Sequence, residues 1–136
     1  ALAQNASYPL LAFIQQQLNS KNKISLLVGH DSNIVALLAA LGVEPYELND
    51  SLENIPIGGK LLFEVWKHKP SGKLKFKLDY VYQSTEQLIN ITPLSLATPP
   101  NQTALTLKGC KKDENGFCDY ERFQQVLSES IKNGKK

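Results

Sequence analysis

The sequence predicts an α/β fold, and three observations carry that prediction. A short continuous apolar run, Ile24 to Val28, leads through Gly29-His30-Asp31-Ser32-Asn33 into an apolar stretch of helical spacing that stops at Gly42. Two alternating runs, Leu61 to His68 and Leu74 to Tyr82, flank Pro70-Ser71-Gly72, the pattern of an antiparallel hairpin. Amphipathic helical spacing stands near both ends of the chain, and 136 residues suit one domain of ordinary size.

The elements follow in order. Ser7 is placed to cap a helix whose apolar face is Leu10, Phe13, Ile14 and Leu18, with Pro9 in its first turn, and the polar stretch Asn19 to Lys23 breaks it. Ile24 to Val28 reads as a strand buried on both faces. In the next helix Ile34, Leu37, Leu38 and Leu41 recur at helical spacing. Val35, Ala36, Ala39 and Ala40 make its other faces apolar too, so it should pack inside a larger body. Gly42 ends it in the left-handed position that glycine adopts most cheaply.

Residues 43–59 are loop-like, with Pro45, Asn49, Asp50, Pro56 and Gly58-Gly59. In the hairpin Leu74, Phe76, Leu78, Tyr80 and Tyr82 share one face, and Trp66 and the tyrosines are expected in the core. Thr85 to Asn90 suits a helical turn, Pro93 to Pro100 an extended surface path, and Leu105 with Leu107 a short edge strand. Asp119 caps a final helix with Phe123, Val126, Leu127 and Ile131 on one face, and Lys135-Lys136 form a solvated tail.

Bulk properties narrow the function. Apolar residues make 42% of the chain and charged residues 21%, close to soluble globular usage. A net charge of +2, with no basic stripe interleaved with aromatics, argues against a nucleic-acid partner. The longest apolar run, Ile34 to Leu41, is far short of a membrane span, so no membrane partner is expected. No methionine occurs, which suggests a processed or excised chain. Arg122 is the only arginine beside fourteen lysines, so any anion site must rely on Lys, His or backbone N–H groups. Cys110 and Cys118 lie eight apart around a turn-rich segment. A local disulfide and two unrelated free thiols fit that spacing equally, whereas zinc spacing is absent.

One place carries chemistry. A strand's carboxyl end feeding a helix N-terminus is where open α/β sheets place ligands, and free N–H groups around Ser32, Asn33 and Ile34 would favour an anion there. Gly29 allows a tight turn or a close approach. His30 can donate to a phosphate oxygen, and Asp31 can give a proton to a leaving oxygen once a bound anion favours its protonated form. The plainer alternative makes Asp31 or Ser32 an N-cap and His30 a satisfied polar residue. His68, between Lys67 and Lys69, reads as a surface residue.

Val28-Gly29-His30-Asp31-Ser32-Asn33-Ile34 resembles the histidine acid phosphatases, and so do several later blocks in the same order. These are Pro56 to Trp66, Tyr80 to Leu88, Thr92 to Leu96, Leu107 to Cys110 and Gly116 to Cys118. They are most similar to the bacterial periplasmic branch that holds glucose-1-phosphatases and phytases. The resemblance implies residues 1–136 are a partial α/β domain: the C-terminal part of a histidine-phosphatase α/β domain, a central sheet flanked by helices. The N-terminal half and the helical domain would be absent.

It also implies hydrolysis of phosphomonoesters, a sugar phosphate such as glucose 1-phosphate or an inositol phosphate, through a phosphohistidine and without a metal or other cofactor. His30 matches the phosphate-binding second histidine, Asp31 the proton donor, and Cys110 and Cys118 a family disulfide. The family's nucleophile lies in an Arg-His-Gly motif, and no Arg-His-Gly occurs in this chain. The expectation is therefore a periplasmic segment, inactive alone, whose partners are the substrate or phosphate and the missing N-terminal part of the same enzyme. The fragment is expected to self-associate. A non-catalytic phosphate-binding or interaction module derived from the enzyme is the alternative.

Overall fold

The computed structural model describes residues 2–135; Lys136, the end of the expected basic tail, lies outside them. In chain order it contains α1 (Leu2–Leu18), α2 (Asp31–Leu41), β1 (Lys60–Lys67), β2 (Leu74–Tyr82), α3 (Thr85–Ile89), β3 (Asn101–Leu105), β4 (Cys118–Asp119) and α4 (Tyr120–Gly134). The fold is α/β: an antiparallel sheet flanked by helices.

The hairpin forms as its alternation predicts. β1 and β2 pair antiparallel from Lys60↔Val81 to Lys67↔Leu74, and β3 pairs with the far half of β2, Leu78 to Tyr82. β4 takes the near half, opposite Lys75 and Phe76. Because side chains alternate across a strand, Phe76, Leu78, Tyr80 and Tyr82 all point into the core, each almost wholly buried. Leu74, at the hairpin's tip, escapes that burial. Trp66 departs from expectation: its position puts it on the opposite face, and it is 53% exposed.

The helices form the other layer. α1 packs against α2 and α4, and α4 packs on β2. Asp119 caps α4 through its carboxylate, which accepts from the Arg122 N–H at 3.3 Å. Phe123, Val126, Leu127 and Ile131 are buried as their spacing predicts. Phe123 stacks on Phe76 with ring centroids 3.5 Å apart and planes 7° from parallel, and Phe63 tilts against both. The Cys110–Cys118 disulfide, Cα atoms 5.6 Å apart, fastens the segment that leads into β4.

Three expectations fail for physical reasons. Ser7 is no cap: the Ala-rich residues before it already support helix, so α1 starts at Leu2 and Ser7 is buried in its interior. The buried face is Ser7, Leu11 and Ile14, leaving Phe13 47% exposed. Pro9 stands inside the helix with its ring exposed. α2 is buried on one side only, at Leu37, Leu38, Ala40 and Leu41, while Val35 stays 48% exposed.

The third failure matters most. Ile24 to Val28 forms no strand and pairs with none among the described residues. A strand buried on both faces needs neighbours on both edges, and every strand described belongs to the sheet built around β2. Ile24, Leu26 and Val28 are 88%, 87% and 91% exposed, and Leu27 between them is 40% exposed.

Candidate active site

The segment carrying His30 and Asp31 is set by the start of α2. His30 occupies the N-cap position with an extended backbone (φ −103°, ψ 166°), and Asp31 is the first helical residue. Neither Asp31 nor Ser32 is therefore the N-cap. The His30 imidazole makes no cap hydrogen bond. Instead Asn33, one turn on, reaches back so that its Oδ1 accepts from the His30 backbone N–H at 2.8 Å.

Gly29 makes room for this. A Cβ at that position would lie 2.9 Å from Asn33 Oδ1, closer than carbon and oxygen tolerate. The site thus rests on three consecutive decisions: no side chain at Gly29, backbone capping at His30, and an acceptor at Asn33. Asn33 was legible only as a helix-start residue. The cue to its role is its place three residues after the cap, where the acceptor of a capping box stands.

The N–H groups expected to hold an anion are partly engaged. Ser32 N–H donates to Asp31 Oδ1 at 2.7 Å, and Asn33 N–H donates to the His30 carbonyl at 3.0 Å. The Asp31 carboxylate thereby sits at the positive end of the helix dipole, a favourable place for its charge. His30 and Asp31 are both exposed, adjacent in sequence and at the mouth of α2. The pair offers one imidazole to contact an anion and one carboxyl group to exchange a proton.

Arg122, the only guanidinium, is elsewhere. Its Nε donates to the Gly109 carbonyl at 2.7 Å and its Nη1 to Gln125 Oε1 at 2.9 Å. It lines a surface cavity of about 360 Å³ with Gly42, Lys108 and Asn133, at the carboxyl end of α2. An eleven-residue helix separates that cavity from His30 by roughly 16 Å, so Arg122 gives no fork to a phosphate at His30. His68 also stands apart, with its Nδ1 2.7 Å from Ser71 Oγ in the hairpin turn.

Residues 1–91 match the histidine phosphatase superfamily (branch 2). The chain is 42% identical over 135 residues to glucose-1-phosphatase of Providencia rettgeri, covering 96% of this chain and 32% of that protein. It is 34% identical over 108 residues to phytase AppA of Escherichia coli, covering 79% of this chain and 25% of that one. The solved structure of the phytase from Citrobacter braakii superposes with a TM-score of 0.83 at 31% identity, covering 94% of this chain and 35% of the phytase. The chain thus spans about a third of the length of the relatives it matches.

Proposed function

This chain belongs to the histidine phosphatase superfamily (branch 2), and from that membership we propose that it forms the C-terminal third of a periplasmic acid phosphatase. The parent enzyme hydrolyses phosphomonoesters, either a sugar phosphate such as glucose 1-phosphate or an inositol phosphate. The observation that carries the reading is the exposed His30–Asp31 pair, held at the start of α2 by Asn33 and Gly29.

In this reading His30 contacts a phosphate oxygen. A histidine in the remainder of the enzyme attacks phosphorus, and the phosphorus–oxygen ester bond breaks. The departing alkoxide takes a proton from the Asp31 carboxyl group, leaving a phosphohistidine and a free alcohol. Water then attacks phosphorus, Asp31 takes back a proton from it, and phosphate leaves as the histidine is released. The nucleophile must come from outside this sequence, because no Arg-His-Gly occurs in it. The chain by itself supplies an acid and one phosphate ligand, and is inactive.

The open side of Ile24, Leu26 and Val28 supports the same reading. An exposed apolar segment that ends two residues before His30 is where strands of the remainder would pair, complete a sheet and bring the nucleophile to the pair. Without them, a second copy of the chain covers the face.

The test is reconstitution. The chain alone should leave p-nitrophenyl phosphate intact at acid pH. Adding the N-terminal part of a related glucose-1-phosphatase, in which the Arg-His-Gly is present, should restore hydrolysis. Turnover by the chain alone would refute the assignment of the nucleophile to the remainder.

A further inference from the structure

The tip of the β1–β2 hairpin concentrates charge that the candidate active site does not use. Residues 60–77 carry six lysines against one glutamate, although the whole chain nets only +2. Two of the six are neutralised on the strands: Lys75 pairs with Asp113 at 3.5 Å and Lys77 with Asp79 at 3.4 Å. Lys67, Lys69 and Lys73, at the turn itself, are exposed and lie in no ion pair among the described residues.

The turn that holds them is closed by hydrogen bonds. His68 N–H donates to the Lys73 carbonyl at 2.8 Å, Gly72 N–H donates to the His68 carbonyl at 2.7 Å, and Ser71 Oγ bonds His68 Nδ1. Gly72 takes a φ of 70°, which a residue with a Cβ adopts only with strain. Three cations are thus presented on a preformed turn.

Immediately behind them stands an apolar collar. Val65 and Leu74, on the sheet face that carries Phe76, are 41% and 43% exposed, and Trp66, on the opposite face, is 53% exposed. Trp66 is braced at the edge of Phe117, ring centroids 6.0 Å apart, and its Nε1 donates to Glu64 Oε2 at 3.0 Å.

We propose that this hairpin tip docks the protein on an anionic lipid bilayer surface. Lysines are compact charges on flexible stems, suited to a diffuse layer of headgroup phosphates rather than to forked recognition of one anion. A soluble polyanion would satisfy the lysines and leave the collar in water. A bilayer serves both when the tip enters it end-on, since tryptophan favours the boundary between headgroups and acyl chains, and Val65 and Leu74 meet the same boundary on the other face of the hairpin. The contact is peripheral and needs no spanning helix; among the described residues no helix is long and apolar enough to cross a membrane.

Trp66 is the only tryptophan, so its fluorescence reports on the tip alone. At low salt, vesicles of phosphatidylcholine with phosphatidylglycerol should shift its emission to the blue and carry the chain into the pellet, and pure phosphatidylcholine should do neither. The Lys67→Gln, Lys69→Gln, Lys73→Gln triple variant changes only exposed turn residues and should bind the anionic vesicles roughly a hundredfold more weakly. Leu74→Ser should weaken binding with the lysines intact. An unchanged emission with anionic vesicles would overturn the proposal. So would equal binding to pure phosphatidylcholine, full binding by the triple variant, or capture by heparin without any response to vesicles.

Discussion

Asn33 Oδ1 accepts the backbone N–H of His30 at 2.8 Å, and this bond holds the start of α2, where His30 and Asp31 stand exposed. It satisfies a donor at the N-terminus of α2 that the helix cannot satisfy itself. Asn33→Ala should lower stability by about 1 kcal/mol in urea unfolding, and raise the KM of a reconstituted enzyme more than it lowers kcat. Gly29→Ala should act in the same direction, because its Cβ displaces the same oxygen. A variant indistinguishable from the parent in both measurements would remove Asn33 from the site.

The stack of Phe123 on Phe76 joins the helical layer to the sheet. Both rings are almost fully buried. Phe123→Ala should therefore cost about 3–5 kcal/mol through lost contacts and the cavity left behind. Phe123→Leu should cost much less, because it refills most of the volume. Urea unfolding of both variants gives the comparison.

Asp113 organises the disulfide loop. Its carboxylate is held below the usual range first by the Phe117 backbone N–H; desolvation opposes this, and the Asn115 N–H and Lys75 add to the lowering. A depressed carboxyl group contributes stability above its unfolded value and loses that contribution as pH falls through the lower folded value. Wild type should therefore exceed Asp113→Asn in stability near neutral pH. The gap should close progressively below about pH 4, as thermal melts at a series of pH values would record.

The exposed side of Ile24, Leu26 and Val28 should make the isolated chain associate. Light scattering should show a mass that rises with concentration, and the Ile24→Ser, Leu26→Ser double variant should stay closer to monomer. The same variant should bind the N-terminal part of a related glucose-1-phosphatase less tightly. A wild-type chain that stays monomeric at high concentration would contradict the self-association.

Much of the fold was legible where local rules act alone. Gly42 ends α2 at a φ of 69°, Asp119 caps α4, and the hairpin pairs as its alternation requires. What escaped depended on neighbours. Ile24 to Val28 has the pattern of a buried strand, but a strand forms only when partners offer hydrogen bonds, and periodicity cannot say which chain brings them. Trp66 was misplaced because size suggested the core, while its register put it on the far face.

Ser84 and Gln87 form a capping box that a Ser-x-x-Gln spacing announces and that went unread at the start of α3. At the candidate site the residue types were readable and the roles less so. His30 and Asp31 stand out by chemistry, whereas Asn33 matters through a backbone hydrogen bond that only geometry reveals.

In the proposed mechanism Asp31 is the proton donor of a phosphatase whose nucleophile lies in the remainder of the enzyme. The most direct measurement is the rate of p-nitrophenyl phosphate hydrolysis at acid pH by the reconstituted enzyme, with wild-type chain and with Asp31→Ala. The variant is expected to have a kcat lower by about 10²–10⁴-fold, with assembly of the two parts unchanged. Full activity with Asp31→Ala would contradict it.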